Sequence, residues 1–425
     1  MKKSEQYLDR MSKARPRSVT AVLTFAVTLV AVALATPSAQ AQTFTLLYSF
    51  QGAPQDGMTP NSELVFDMSG NLYGTTYSGG TSANGTVFEL DSSGKETVLH
   101  NFAGGSGDGE FPTGAIVRYA GNLYGTTIEG GGTGCSGGCG TVFELSRGKE
   151  TVLYSFSEIG GNFPNAGLVR DTSGNLYGST FGGSIGMPTP ACGTQGCGTV
   201  FELRQGQEVA LYGFAGTPDG ANPEASLITD GSRNLYGTTG QGGLFNQGTV
   251  FELSPNPDGT WTEHLLYSFR GKTDGGVPTA GVVMDLKGNL YGTAQIGGRI
   301  VKGCRSGCGV VFKLAKNSAG TWVERTLYTF GASVEDGKNP CGNLVIDKRG
   351  NIYGTTLAGG VPNDGTVFKV DAAGKETLLH TFAGAPTDGA SLFTGLTIDA
   401  SGDLYGTTQR GGTSNFGTVF KITPQ

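Results

Sequence analysis

Six aspartates recur at one position of a repeated loop, and carboxylates repeated in this way suggest a cation or polar-ligand site. The loop reads Asp-Gly-x-x-Pro, as at Asp56–Pro60. If the loops converge, their hard oxygens would attract Ca²⁺ or a cationic ligand. The alternative is structural, because Asp-Gly favours a turn in which the carboxylate accepts local backbone N–H groups. No cofactor is predicted, with Ca²⁺ as the open alternative. The predicted ligand-binding residues are Asp56, Asp108, Asp219, Asp274, Asp336 and Asp388.

Six of the seven cysteines form three close pairs in corresponding Gly-rich loops, which predicts three short-range disulfides in an oxidising compartment. Zinc is the alternative, but pairs on separate repeats cannot easily share one tetrahedral site and no histidine lies near them. The sequence therefore predicts no metal site. Cys341 is left over as a free thiol or, alternatively, as one half of an intermolecular bridge. The predicted pairs are Cys135–Cys139, Cys192–Cys197 and Cys304–Cys308.

The residues that commonly carry catalysis form no recognisable constellation. Of three histidines, His100 and His380 occupy a repeat position that otherwise holds tyrosine, which indicates packing and allows no Ser-His-Asp arrangement. Glycoside hydrolysis needs two carboxyl groups roughly 5 to 9.5 Å apart. Unrepeated acids are the better candidates, but nothing in the sequence pairs them. No catalytic residue is predicted, and a non-enzymatic role is favoured. These unrepeated acids are Glu110, Glu158, Glu224 and Glu335.

A sevenfold repeat supplies the elements that position these residues. The segment NLYGTT at Asn71–Thr76 recurs in seven versions whose tyrosines lie 51 to 62 residues apart. Each repeat holds an apolar segment (a), such as Ser62–Asp67, the NLYGTT segment (b), a GTVFEL segment (c) and an LYSF segment (d). Their Val, Phe, Tyr and Thr favour strands, and Gly, Asn, Asp and Pro bound them. Four-stranded units of this length predict an all-β, seven-bladed β-propeller; a parallel β-helix is the alternative, with much shorter coils.

The order of the segments predicts how the ring closes. The repeats begin with a d segment, Thr43–Phe50, and stop after a c segment, Gly417–Ile422. Pairing of these two strands would complete the last blade and remove an open sheet edge. The propeller is predicted to span residues 42–425, with blades at roughly 51–102, 103–156, 157–214, 215–269, 270–330, 331–382, and 383–425 together with 43–50.

These motifs resemble the GloVer-type tandem-repeat proteins of bacteria, and the resemblance covers nearly all of residues 42–425. It rests on seven copies of NLYGTT, a following Gly-Gly, GTVFEL and LYSF. The Asp-x-x-Gly-Asn-Leu-Tyr joint is also similar to the NHL-type propeller repeat. The resemblance implies an exported repeat protein and assigns no biochemical role.

The first 41 residues predict export. They carry six basic residues and an apolar run, Val19–Ala35, before the small-x-small sequence Ala39-Gln40-Ala41. This order is typical of a cleaved signal peptide over residues 1–41; an uncleaved anchor helix is the alternative. Cleavage would take the formal net charge from −6 to −10, which disfavours nucleic acid as a partner.

Together these features predict a secreted, periplasmic or extracellular binding or scaffold module. It is expected to be a monomer without stable membrane insertion, and to recognise a glycan or protein on the face formed by the d–a and b–c loops. One alternative is a carbohydrate-active hydrolase or lyase that uses unrepeated carboxylates on that face. Another is a purely structural envelope or matrix protein.

Overall fold

The computed structural model describes residues 42–132, 134–158, 160–185 and 192–424. The predicted signal peptide, residues 1–41, lies outside this range. No α-helix occurs in the described residues, which hold strands and two short 3₁₀ turns, Gly105–Gly107 and Gly193–Gln195. Within the same residues, no helix is long and apolar enough to cross a membrane.

The strands form seven antiparallel blade sheets in a ring, with two additional two-stranded sheets, which confirms the predicted all-β, seven-bladed propeller. Each sheet lies inside one predicted blade interval. After β1 (Thr43–Ser49), blade 1 contains β2 (Gly57–Pro60), β3 (Val65–Phe66), β4 (Leu72–Gly79), β5 (Thr86–Leu90) and β6 (Glu96–Asn101). Blade 2 contains β7 (Gly109–Pro112), β8 (Val117–Tyr119), β9 (Asn122–Gly130), β10 (Thr141–Ser146) and β11 (Lys149–Ser155). Blade 3 contains β12 (Val169–Arg170), β13 (Leu176–Thr180), β14 (Thr199–Arg204) and β15 (Gln207–Gly213).

The remaining four blades repeat the arrangement. Blade 4 contains β16 (Gly220–Ala221), β17 (Ile228–Thr229), β18 (Leu235–Thr239), β19 (Gln241–Gly242), β20 (Thr249–Pro255) and β21 (Trp261–Ser268), and blade 5 contains β22 (Val283–Met284), β23 (Leu290–Ala294), β24 (Val310–Lys316) and β25 (Trp322–Thr329). Blade 6 contains β26 (Gly337–Pro340), β27 (Val345–Ile346), β28 (Ile352–Gly359), β29 (Thr366–Val370) and β30 (Glu376–Thr381). Blade 7 contains β31 (Gly389–Ala390), β32 (Thr397–Ile398), β33 (Leu404–Thr408), β34 (Arg410–Gly411) and β35 (Thr418–Thr423).

The first described strand closes the ring. β1 pairs antiparallel with β35, with Leu46 opposite Phe420 and Tyr48 opposite Val419. Blade 7 therefore has the sheet order β1-β35-β33-β32, and its outer strand comes from the start of the described chain. This pairing is the closure that the repeat order predicts.

The core lies between the blades and repeats with them. The last aromatic of each d strand packs edge-on against the phenylalanine of strand c in the next blade, as in the Phe50–Phe88 pair at 5.1 Å between ring centroids. Both of these rings are fully buried. Edge-to-face pairs add about 0.5–1.5 kcal/mol each beyond area burial. The other pairs are Phe102–Phe143, Phe156–Phe201, Phe214–Phe251, Phe269–Phe312, Phe330–Phe368 and Phe382–Phe420.

The innermost strand a is shorter than the sequence predicts. The expected strand over Ser62–Asp67 is present only at Val65–Phe66, and residues 61–64 leave the ladder between β2 and β3. Some of their backbone polar groups bond instead to side chains of a neighbouring blade. For example, the Thr407 hydroxyl of blade 7 donates to the Ser62 carbonyl of blade 1 at 3.3 Å. The departing segments of the seven blades surround the central channel.

Candidate functional site

The six predicted aspartates lie in six separate interfaces between blades. In the first of them, Asp56 is 5% exposed and accepts hydrogen bonds from the Tyr48 hydroxyl at 2.9 Å and the Gln51 N–H at 2.6 Å through one oxygen. Its other oxygen accepts from the Gly57 N–H. These bonds hold the d–a turn against the preceding outer strand. The ligand-binding role of the six residues stays a prediction.

Five of the six aspartates also have a glutamate partner that sequence reasoning missed. The glutamate lies six residues before the last phenylalanine of strand d in the blade that follows the turn. For the Asp274 turn the partner is Glu324, whose pKa is raised to about 7, chiefly by burial and also by the Asp274 charge. We call the Tyr or His, the Asp and this Glu an interblade cluster. These glutamates are Glu96, Glu150, Glu263, Glu324 and Glu376, and Glu208 takes the same strand position at the one interface without an aspartate.

Three of the seven interblade clusters depart from this composition. In one, Tyr154 and Glu208 lie beside a turn that has Gly160 in place of the aspartate. His100 and His380 replace the tyrosine, and their Nε2 atoms lie 3.3 Å from Asp108 and 3.1 Å from Asp388. The His380 cluster has Phe44 in place of the glutamate, stacked on the imidazole at 3.9 Å between ring centroids.

The cysteines lie where the repeat places them. All three predicted pairs are disulfides, each with 5.1 Å between its Cα atoms, in the b–c loops of blades 2, 3 and 5. Cys341 is a free thiol beside the channel, and its Sγ donates to the Leu392 carbonyl. Burial raises the pKa of Cys341 to about 12.

The main cavity is the central channel, with a volume of about 430 Å³. Every blade lines it with the segment that follows the Asp-Gly-x-x-Pro loop. The residue directly after the loop is of five different types in the seven blades, although the surrounding repeat is nearly constant. Since this residue lies beside the loops, we call the set the mouth ring. Its members are Asn61, Thr113, Asn165, Glu224, Thr279, Cys341 and Phe393.

Several mouth-ring groups are available to a ligand. Phe393 is 43% exposed. Thr279 Oγ1 is buried and has no hydrogen-bond partner among the described residues. Burial raises the pKa of Glu224, an unrepeated acid that the sequence analysis names.

Two residues further along each strand, a deeper ring ties the blades to one another. Glu63 of blade 1 bonds to the Asn343 side chain of blade 6 and to the Gly395 backbone of blade 7. Asn343 Oδ1 also accepts from the Gly281 N–H of blade 5 at 2.5 Å. Burial raises the pKa of Glu63 to about 7, against the effect of these hydrogen bonds.

The exposed apolar side chains are unevenly distributed between the two faces of the ring. The face with the d–a and b–c loops exposes eight large ones, most of them on blades 3 to 7. The a–b turns of the opposite face expose only Met68, Tyr119 and Leu286 among the described residues. The exposed apolar residues of the face with the d–a and b–c loops are Tyr77, Ile185, Leu244, Phe245, Ile300, Val334, Val361 and Phe393.

A scan against family models matches the Gloeobacter/Verrucomicrobia repeat three times, at residues 32–189, 186–321 and 298–425. The chain belongs to this repeat family. A search of curated proteins finds no match.

Several solved structures are similar to this chain at low sequence identity. An oligogalacturonate lyase from Vibrio parahaemolyticus is 12% identical with a TM-score of 0.53, over 91% of this chain and 95% of the lyase. A luciferin-regenerating enzyme is 14% identical with a TM-score of 0.42, over 90% and 95%. A calcium-binding regucalcin from Agrobacterium tumefaciens is 13% identical with a TM-score of 0.40, over 88% and 93%. At these identities the likeness to the lyase is one of fold.

Proposed function

We propose that this repeat protein is an exported binding protein whose channel mouth takes a hydroxyl-rich ligand of the carbohydrate class. The observation that carries the proposal is the mouth ring. Seven nearly identical blades direct unlike side chains into one cavity, and unlike groups around a cavity suit an asymmetric ligand. The cavity volume is within the range of small-molecule sites, roughly 300–1,000 Å³.

The chemistry of the mouth ring fits sugar hydroxyl groups. The Asn61 and Asn165 amides both donate and accept hydrogen bonds, and the Glu224 carboxyl is a further acceptor. Phe393 presents an exposed aromatic ring on which the apolar face of a sugar can pack. The exposed apolar side chains on the same face would contact a longer saccharide or a protein that carries it.

Two features support an exported setting. The first 41 residues have the pattern of a signal peptide, and three disulfides are typical of proteins that fold in an oxidising compartment. The proposal therefore predicts that the protein is exported. Fractionation of the periplasm and the culture supernatant checks this location.

A glycan array, followed by calorimetric titration of each positive saccharide, tests the binding function. We expect binding by the unaltered chain and a loss of about tenfold or more in Phe393→Ala and Glu224→Gln, because both side chains line the mouth. Leu286→Ala, an exposed apolar residue on the opposite face, is the matched control and should bind normally. Titrations with and without Ca²⁺ test the predicted role of the repeated aspartates. No binding to any saccharide in either condition, or equal losses in the Leu286 control, would overturn the proposal.

A hydrolase or lyase is the second candidate, because two unrepeated carboxyl groups with raised pKa values, Glu63 and Glu224, line the same cavity. Their described contacts lie on different blades: Glu63 reaches blades 6 and 7, and Glu224 lies near Gly240 of its own blade. Binding without cleavage is therefore favoured. Release of reducing ends from a bound saccharide, abolished in Glu63→Gln and Glu224→Gln, would establish the enzyme instead.

A further inference from the structure

One interblade cluster differs from the other six by holding three groups able to ligate a metal. His100 lies on β6 of blade 1, Asp108 in the loop between the blades, and Glu150 on β11 of blade 2. One ligand atom from each lies within 4.8 Å of the other two. We propose that these three residues form a Zn²⁺ site that links blades 1 and 2.

The spacing suits a small tetrahedral ion. Zn²⁺ binds imidazole nitrogen and carboxylate oxygen at about 2.0–2.2 Å, which separates two ligands by roughly 3.4 Å. His100 Nε2 lies 3.3 Å from Asp108 Oδ2 and 3.4 Å from Oδ1. The Glu150 oxygen lies within 4.8 Å of both atoms, so its side chain would move closer when an ion binds.

The polar atoms of this cluster are not all satisfied by the protein. Glu150 Oε1 has almost no exposed surface and no hydrogen-bond donor among the described residues. The His100 and Asp108 side chains are 18% and 14% exposed, so an ion can reach them from solvent. A cation would pair with the buried oxygen and leave its fourth position to water.

The sister clusters explain why the site would be confined to this interface. At Asp56 the corresponding residues are Tyr48 and Glu96, and the Glu96 oxygen is also without a donor. There the third group is a phenol that donates to the aspartate, so the imidazole nitrogen is missing. The His380 cluster has the imidazole but holds Phe44 where the glutamate would be.

The donor set also selects among metals. One nitrogen and two carboxylates match a three-ligand zinc site with one open position. Ca²⁺ takes six to eight oxygen ligands, so a nitrogen-containing set of three disfavours it. The proposal is independent of the channel mouth.

Calorimetric titration of the purified, metal-free chain with Zn²⁺, without reductant, tests the site. We expect one Zn²⁺ per chain, little response to Ca²⁺, and a thermal unfolding midpoint that rises with Zn²⁺, since a ligand of the folded state stabilises it. His100→Tyr should weaken binding at least about tenfold while preserving the fold, because it restores the residue of the sister clusters. Glu150→Gln should act likewise.

His380→Tyr is the matched control and should bind Zn²⁺ as the unaltered chain does. His264→Ala removes an exposed histidine and identifies adventitious binding on the surface. Zn²⁺ binding that survives His100→Tyr, or that is lost in the His264 or His380 variant, would overturn the proposal. Absence of binding to the unaltered chain would also overturn it.

Discussion

Four residues of the repeated NLYGTT segment have separate structural tasks. In blade 6 the Tyr353 hydroxyl donates to the aspartate of the a–b turn at 3.1 Å. At Gly354 a Cβ atom would lie 2.6 Å from a phenylalanine ring of strand c, so only glycine leaves room for the ring. Thr355 donates to a channel-lining carbonyl of blade 7 at 2.8 Å. Thr356 pairs with Thr366 of strand c at 2.8 Å between hydroxyl oxygens.

The threonine pair supports a prediction at this scale. Thr356 and Thr366 are fully buried, and Thr356 Oγ1 also donates to the Ala358 carbonyl. Thr356→Ala leaves buried polar groups unpaired, so we expect a loss of about 1–3 kcal/mol in the free energy of unfolding. Adding Thr366→Val removes one of those groups and should cost little more, or restore part of the loss. Urea unfolding measures both variants.

Blade 5 provides the internal control for this prediction. Its sheet has Ala294 opposite Val310 at the same register position, and both residues are fully buried. The fold therefore accepts an apolar pair at this place. A double variant in blade 6 whose loss equals the sum of the two single losses would contradict the argument.

At the scale of elements, the a–b turn is held by one carboxylate. Asp285 accepts from the backbone N–H groups of Lys287 and Asn289, both at 2.9 Å. It also accepts from the Asn289 amide at 2.7 Å and from the Tyr291 hydroxyl at 3.0 Å. Partial burial acts in the opposite direction, but these bonds lower the pKa of Asp285. Five other blades carry the same turn, at Asp67, Asp171, Asp230, Asp347 and Asp399.

Asp285→Ala should therefore destabilise the protein by about 1–3 kcal/mol, because it removes four hydrogen bonds to a charged acceptor. Leu286→Ala is the matched control: the neighbouring side chain is fully exposed, and its loss should change stability by less than about 0.5 kcal/mol. Chemical unfolding at pH 7 compares the two. Equal effects would show that the carboxylate does not hold the turn.

At the scale of the whole molecule, the sequence predicts architecture well and the candidate site poorly. Seven blades and closure by Thr43–Phe50 follow from repeat counting, because every blade repeats the same interface. The mouth ring has no such signal, because its residues vary from blade to blade. Sequence reasoning also misses Glu63, since this residue occupies what looks like an ordinary strand position. A search for differences at the first and third positions after the Asp-Gly-x-x-Pro loop would have found both.

The interblade clusters give the whole ring a dependence on pH. Four clusters have both tyrosine and aspartate, and in each of them burial, followed by the aspartate charge, raises the pKa of the glutamate to about 7. These glutamates are Glu96, Glu263, Glu324 and Glu376. The unfolded value is about 4.3. Stability from these groups is thus fully present below about pH 4.3 and is lost as pH rises through 7. The turn aspartates, with lowered pKa values, contribute stability above about pH 3.9 that is lost on further acidification.

We therefore expect the free energy of unfolding to be greatest near pH 4 to 5 and to fall steadily up to about pH 8. Urea unfolding across this range, with a chelator present to exclude metal effects at His100, measures the profile. Replacing Glu96, Glu263, Glu324 and Glu376 together by glutamine keeps their size and removes their charge, so the decline between pH 5 and 8 should become smaller. Four glutamines at Glu89, Glu110, Glu129 and Glu335, which lie outside the interblade clusters, are the control for lost net charge. A profile that is flat, that rises toward pH 8, or that changes equally in both variants would show that the interblade glutamates are not protonated in the folded ring.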